Sequence, residues 1–494
     1  MVFNSFAFLI FFPIVLLLYR ILPKKFRWAM LLAASCFFYM SWQADLIYLI
    51  FFTTSVSYLA AIGIERTKKQ STKKLLAILA AAASLGVLFF FKYFNFLADN
   101  ATALLQAFSL PVPSVSLSLI LPVGISFYTF QTLSYVIDVY RGKMPAERHF
   151  GYYALYVSFF PQLVAGPIER PENLLPQLRA DNKPDPYMTS MGLKMMALGF
   201  FKKIVVADGV SKFVESVYNA AGSGDTGLFN GLTVLIATAL FAVQIYCDFS
   251  GYTDIAIGCA KIMGINLMQN FNDPYSAVSI RDFWRRWHIS LTSWFTDYVY
   301  IPLGGSRCSR AKHYANIFIV FLLSGIWHGA AWNFIIWGVI HGLYQIFAHM
   351  TANTRHRLWE KVHISEESTG AVIFKRIFTF MLVLLAWVAF RANSTSDMIS
   401  LYKTLFTGWA GIDILASFSA IGLNICRTAI IILSVYIVRK LDGMIALKNA
   451  PAGSFSGISG QNTVLYITLA WSIAAAWLAL LSEGGASSFI YFQF

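Results

Sequence analysis

The segment from Ser324 to Gly342 reads Ser-Gly-Ile-Trp-His-Gly-Ala-Ala-Trp-Asn-Phe-Ile-Ile-Trp-Gly-Val-Ile-His-Gly. It sets His328, His341, three tryptophans and Asn333 inside an apolar run long enough to enter a bilayer. An ionisable side chain at membrane depth loses its hydration and by default marks a functional site. A neutral imidazole, with an ordinary pKa of about 6.5, suits general-base work near neutral pH. His328 is therefore a candidate to take a proton from a hydroxyl while that oxygen attacks an ester or thioester. A ring simply buried against a neighbour's carbonyl is the competing case, and it is the preferred one for His341. The two histidines are thirteen positions apart. On an unbroken helix that is roughly 140° of azimuth and about 20 Å of rise, so they cannot share a metal without a sharp break. No His-Glu-x-x-His spacing occurs either, and no metal is expected.

Two further clusters carry polar residues. Over Ser279–Trp294, Phe283, Trp287, Leu291 and Trp294 repeat at helical spacing, opposite Arg281, Arg285, His288 and Thr292. Asp282 and Arg286 stand at i, i+4 and can pair. This pattern predicts one amphipathic helix, either an interfacial anchor or a wall of a pocket with Arg281 and Arg285 on donor phosphates and His288 beside them. Taken alone, the pattern favours the anchor. The stretch Gln244–Asp254 ends an apolar span with Asp248 and Asp254. These acids either cap or pair at a helix end or act directly, since intramembrane acids are costly. No Gly-x-Ser-x-Gly elbow and no phosphate-binding Walker loop competes with these sites.

The elements that must position these groups are membrane helices. The chain is 57% hydrophobic and 13% charged, against roughly a half and a quarter in soluble domains. Many windows approach the roughly 20 apolar residues that span a bilayer. They fall at Phe6–Tyr19 with its neighbours, and at 47–64, 75–91, 232–246, 374–390, 428–438 and 465–481. The net charge of +14 does not imply nucleic acid, because Lys and Arg cluster in short loops such as Arg20/Lys24/Lys25/Arg27, Arg66/Lys68/Lys69/Lys73/Lys74 and Arg141/Lys143/Arg148. By the positive-inside rule these loops lie in the cytoplasm and the N-terminus outside. The first segment lacks a basic start and a cleavage site, so a retained span is expected. The five cysteines are scattered and suggest neither a disulfide framework nor a zinc site. One continuous domain over 1–494 is expected, with N-terminal spans in 1–137, a catalytic core in 150–350 and C-terminal spans in 372–494. The run Phe159-Phe-Pro-Gln-Leu-Val-Ala-Gly-Pro-Ile168 holds two prolines and predicts broken backbone beside a cavity.

Six motifs then make the chain resemble the membrane-bound O-acyltransferase (MBOAT) family. They are Leu121-Pro-Val-Gly-Ile-Ser-Phe-Tyr-Thr-Phe-Gln131, Phe160-Pro-Gln-Leu-Val-Ala-Gly-Pro-Ile168, Tyr246-Cys-Asp-Phe-Ser-Gly-Tyr-Thr-Asp254, Phe283-Trp-Arg-Arg-Trp-His288, Ile301-Pro-Leu-Gly-Gly-Ser-Arg307 and Trp327-His-Gly-Ala-Ala-Trp-Asn333. The resemblance covers nearly the whole chain and is nearest to the bacterial branch of alginate O-acetyltransferases, peptidoglycan O-acetyltransferases and D-alanyl transfer proteins. It implies an all-α polytopic membrane protein, with roughly ten to twelve transmembrane helices of about 20 residues plus re-entrant and interfacial helices around a central funnel. It also implies that His328 is the family's histidine and that His288 takes the upstream polar position. The donor would be a cytoplasmic acyl thioester such as acetyl-CoA, with no bound cofactor. The acceptor would be a hydroxyl of an extracytoplasmic polysaccharide, reached through a secreted SGNH-type partner.

On this basis Arg281 and Arg285 are expected to hold donor phosphates, and Trp327 and Trp332 to exclude water, with Asn333 and Asp248 lining the pocket. The end Ser488-Phe-Ile-Tyr-Phe-Gln-Phe494 resembles the tail of small peptides that accompany D-alanyl transfer, which makes Tyr491 a candidate acyl relay or an aromatic anchor. The expected location is the bacterial inner membrane, among lipids. D-alanyl transfer, a proton-coupled transporter and a non-catalytic scaffold are the alternatives.

Overall fold

The computed structural model describes residues 1–110, 116–164, 166–182, 186–221 and 229–448. The fold is 77% helical and has no strand among the described residues. In chain order the helices are α1 (Phe6–Ile21), α2 (Lys24–Met40), α3 (Ile47–Arg66), α4 (Gln70–Ala107), α5 (Ile125–Tyr140), α6 (Phe150–Ser158), α7 (Phe160–Leu163), α8 (Pro171–Arg179), α9 (Pro186–Phe200), α10 (Asp208–Asn219), α11 (Gly231–Ile262), α12 (Ile280–Arg286), α13 (Ile289–Phe295), α14 (Arg310–His328), α15 (Trp332–Met350), α16 (Ala352–Lys361), α17 (Thr369–Arg391), α18 (Thr395–Thr407), α19 (Ile414–Ala420) and α20 (Ile425–Lys448). Two compact units form. One holds Met1–Met196 with Tyr252–Met268, the other Ala197–Gly251 with the chain from Gln269 onward.

Among the described residues, four helices are long and apolar enough to cross a bilayer, or up to six if each sharply bent pair counts as one span. They are α11, α17, α4, and α3 with the turn before it. Other apolar runs form shorter helices, such as α1 at 16 residues. The span expected at 465–481 lies outside the described residues, as does Tyr491. At 38 residues, α4 is about 57 Å long at 1.5 Å per residue, so it outruns a hydrocarbon core of about 30 Å. Its Leu75, Ile78, Leu79, Leu85, Phe89 and Phe90 face outward, as a lipid-facing surface requires.

The first unit is built on buried tyrosines. Tyr128, Tyr135, Tyr153 and Tyr156 are all fully buried. Tyr153 and Ser57 share a hydrogen bond of 2.7 Å, and the Glu147 amide donates to the Tyr135 hydroxyl at 2.7 Å. The expected break after the short apolar run is present, since Phe159 (ψ 112°) separates α6 from α7. Neighbouring protein groups bind this segment. The Phe160 amide donates to Ser35 Oγ at 3.0 Å, Gln162 Nε2 donates to the Tyr156 carbonyl at 2.6 Å, and the Phe160 ring packs on Phe11, Phe12 and Phe38.

In the second unit α14 and α15 form a tight hairpin. A Cβ placed on Gly338 would lie 2.4 Å from the Phe321 carbonyl oxygen, and one on Gly325 would lie 2.5 Å from that of Phe334. Small residues are what let two membrane helices approach this closely. A π-helical segment, Phe201–Ala207, turns Lys202 and Lys203 into the interior of the same unit. Lys203 Nζ sits 2.9 Å from Asp208 and 2.7 Å from Asp248, while Lys202 pairs with Asp442. The Tyr246 hydroxyl also donates to Asp442, at 2.6 Å. Buried charges are tolerated only when paired in this way.

Candidate active site

Every histidine of interest belongs to the second unit. His328 closes α14, and Gly329 (φ −164°, ψ 154°) leaves the helix in extended backbone. The negative end of the helix dipole therefore lies at His328, where it would favour a positive charge on the ring. The segment Ser324–Gly342 is thus two helices joined at Gly329–Ala331, so the separation of about 20 Å that holds for an unbroken helix does not apply. The fold-back puts Trp337 between them, with its ring centroid 4.9 Å from both His328 and His341. His341 Nδ1 accepts from Trp284 Nε1 at 3.2 Å, so its ring is tied into the aromatic packing.

The amphipathic helix expected over Ser279–Trp294 is also broken. It ends at Arg286, Trp287 is extended, and His288 takes a left-handed conformation (φ 45°, ψ 54°) before α13 begins. The cause lies in the non-helical segment Asn270–Asn272, which captures a donor and an acceptor at the break. The Asn272 amide donates to the Arg286 carbonyl at 3.0 Å, and the Ile289 amide donates to the Asn270 carbonyl at 2.9 Å. The break separates the stripe that periodicity suggested. His288 is fully buried, whereas Arg281 and Arg285 are exposed. The apolar stripe does form, since Phe283, Trp287, Leu291 and Trp294 are all buried. So does the Asp282–Arg286 pair, at 2.9 Å.

Trp327 gathers the two candidate bases. Its ring centroid is 4.9 Å from His328 and 6.1 Å from His288. Around them stand Phe249, 4.7 Å from the His288 ring, and Phe390, 5.3 Å from the His328 ring. Trp387 extends the same cluster and stacks on Trp337 at 6.2 Å. Trp332 does not wall this site, being 51% exposed. Its place is taken by Trp337, which α15 turns inward. Asn333 Nδ2 donates to the Ala392 carbonyl at 2.9 Å and so ties α15 to the end of α17. Asp248 is committed to Lys203. Sequence reasoning passed over Asn270, Phe249, Trp337 and Phe390. Asn270 sits among turn-forming residues, and the aromatics are lost among the chain's 44 phenylalanines.

The membrane-bound O-acyltransferase family model matches residues 146–392, which include His288, His328 and the aromatic cluster. A probable alginate O-acetylase, AlgI, of Azotobacter vinelandii is 35% identical over 520 residues, covering the whole of both chains. The chain belongs to the membrane-bound O-acyltransferase family. It is accordingly a multi-pass membrane acyltransferase. The peptidoglycan O-acetyltransferase of Helicobacter pylori is 35% identical over 401 residues, 76% of this chain and 72% of that one. The teichoic acid D-alanyltransferase of Bacillus subtilis is more distant, 27% identical over 229 residues, covering 44% of this chain and 57% of that one. Within an acyltransferase, a buried pair of imidazoles lined by indole and phenyl rings is a place where a proton can be moved while water is kept out.

Proposed function

We propose that this protein moves an acetyl group from a cytoplasmic thioester donor to hydroxyls of an extracytoplasmic polysaccharide, by way of a secreted SGNH-type partner. The observation that carries this reading is the burial of His288 and His328 against one indole, Trp327, within the residues the family model matches. Acetyl is favoured over D-alanyl because the O-acetylating relatives match across most or all of their length and the D-alanylating one over little more than half of its own.

In the proposed reaction the hydroxyl oxygen attacks the thioester carbonyl while its proton passes to His328. The tetrahedral intermediate then expels the sulfur, which leaves as a thiol after taking up a proton, and an ester remains on the acceptor. His288 orients or shares the proton. The aromatic wall keeps out water that would hydrolyse the thioester. Arg281 and Arg285 lie on the exposed face of α12, where they can meet the donor's phosphates from the aqueous side through charge-assisted contacts. Tyr491 is proposed as an acyl relay, tested by whether Tyr491→Phe still acetylates fully.

The reading is tested with labelled acetyl-CoA and inverted membrane vesicles that retain the native acceptor. Label appearing as alkali-labile ester on polymer, together with free CoA, is the expected result. Acetyl-CoA left intact under those conditions would instead fit a transporter or a scaffold.

A further inference from the structure

Asn270 has no assigned part in the chemistry, yet its side chain sets the chemical form of His288. It is fully buried in the non-helical segment between α11 and α12. Its Oδ1 accepts from the Ser290 amide at 3.3 Å and from the Ser290 hydroxyl at 2.8 Å. The Ser290 backbone N–H can only donate, so the amide atom facing it is the oxygen and not the nitrogen. That oxygen is also 3.1 Å from His288 Nδ1. A carbonyl oxygen carries no hydrogen, so Nδ1 must be the donor. In a neutral imidazole one nitrogen carries the hydrogen and the other the lone pair, and the partner of the first decides which. The lone pair of His288 is thereby placed on Nε2.

We propose that Asn270 is a positioning residue for acyl transfer, which locks His288 in the Nδ1–H tautomer so that its Nε2 lone pair can orient or share the proton that His328 takes. The proposal rests on the reading of His288 as one of the two proton-handling residues. Asn270 acts through His288 by two routes at once. Its backbone carbonyl takes the Ile289 amide and so holds the left-handed turn at His288, while its side chain holds the ring. A non-glycine residue with positive φ is strained and persists only where its surroundings over-determine it. Ser290 supports the arrangement by fixing which way the amide faces. Asn270 Nδ2 has no hydrogen-bond partner among the described residues, so exchanging the amide for a carboxylate breaks no described bond.

The groups packed around His288 are Phe249 from α11, Trp327 from α14, and Asn270 with Ser290. Ionisable groups on the neighbouring elements include His328 at the end of α14, Arg281, Asp282, Arg285 and Arg286 of α12, and Asp248 of α11, the last paired with Lys203. Burial pushes the His288 imidazole down, to about 3. Wild-type protein therefore shows no His288 limb between about pH 5 and 8.

The test compares Asn270→Ala, Asn270→Asp and His288→Ala in inverted vesicles with labelled acetyl-CoA, with thermal melting as the check on folding. Asn270→Ala frees the tautomer and is expected to lower kcat on the order of 10²-fold, the scale of a lost acid–base contribution, with KM for acetyl-CoA unchanged. Asn270→Asp accepts the same proton, so it recovers most of that loss. Its carboxylate also stabilises the imidazolium, which raises the His288 pKa. Its rate should therefore fall more steeply than the wild-type rate as the pH drops below neutrality. If His288→Ala is inactive while Asn270→Ala keeps the wild-type kcat, the positioning role is wrong and the reading of His288 survives. Full activity in His288→Ala overturns that reading itself. A loss in Asn270→Ala that Asn270→Asp does not rescue, with an unmoved pH profile, marks a purely structural residue and overturns the proposal. Should Asn270→Ala fail to fold, the Asn270→Asp pH profile decides alone: an acid limb supports the proposal, a wild-type profile overturns it.

Discussion

At the scale of single residues, the chemistry of this chain turns on side chains whose type was legible and whose partners were not. His328 stands out in sequence because a histidine in an apolar run needs a reason to be there. His288 stands out less, and the residue proposed to set its tautomer, Asn270, sits in Gln-Asn-Phe-Asn-Asp-Pro-Tyr, where asparagine ordinarily signals a turn. Trp332 looked like a pocket wall because it follows His328 closely, yet the turn after Gly329 sends it outward and Trp337 inward. The buried ions give a prediction of their own. Lys203 holds two carboxylates, so Lys203→Met strands both Asp208 and Asp248. It should cost about 3–5 kcal/mol. Asp248→Asn leaves the Lys203–Asp208 pair in place and should cost less. Thermal unfolding in detergent ranks the two, and an equal or reversed order contradicts the account of this cluster.

At the scale of elements, helical class and the approximate positions of α1, α3, α4, α11, α17 and α20 followed from apolar run length, because a bilayer demands about 20 such residues. What periodicity could not reveal was where helices break. The stripe from Phe283 to Trp294 keeps its spacing through the break at His288, since the apolar residues on both sides still face inward. The break is imposed from outside the helix, by backbone bonds to Asn270 and Asn272, sixteen or more positions away in the chain. The α14–α15 hairpin is similar, because its glycines were visible but the fold-back that brings Gly325 against Gly338 was not. Gly338→Ala should lower the melting temperature and reduce transfer, since its Cβ would lie 2.4 Å from a backbone carbonyl that cannot move aside. Gly86→Ala, with nothing within 4 Å of the added carbon, should change stability by no more than about 1 kcal/mol. Equal effects of the two substitutions would show that close backbone approach does not hold the hairpin.

At the scale of the whole molecule, two charge patterns carry expectations. The loop Arg66–Lys74 is basic, which by the positive-inside rule predicts a cytoplasmic position and an outside N-terminus. A cysteine at Lys69, in a chain freed of its native cysteines, should react with an impermeant maleimide only in inverted vesicles. Labelling in intact cells would reverse the assigned orientation. Arg281 and Arg285 sit on an exposed face, away from the buried histidines, so donor recognition and bond-making are expected to separate. Arg281→Gln with Arg285→Gln should raise KM for acetyl-CoA about tenfold, an effect that shrinks as added salt screens the charges, and should leave kcat unchanged. A fall in kcat at constant KM would place these arginines in the chemistry instead. The central claim is that His328 handles the proton of acyl transfer inside the aromatic cluster. The most direct measurement is the acetate released by mild alkali from the surface polysaccharide of cells whose only copy of the protein is His328→Ala, at wild-type expression and melting temperature. The account predicts a loss of at least about 10²-fold, whereas wild-type acetate from the folded variant would contradict it.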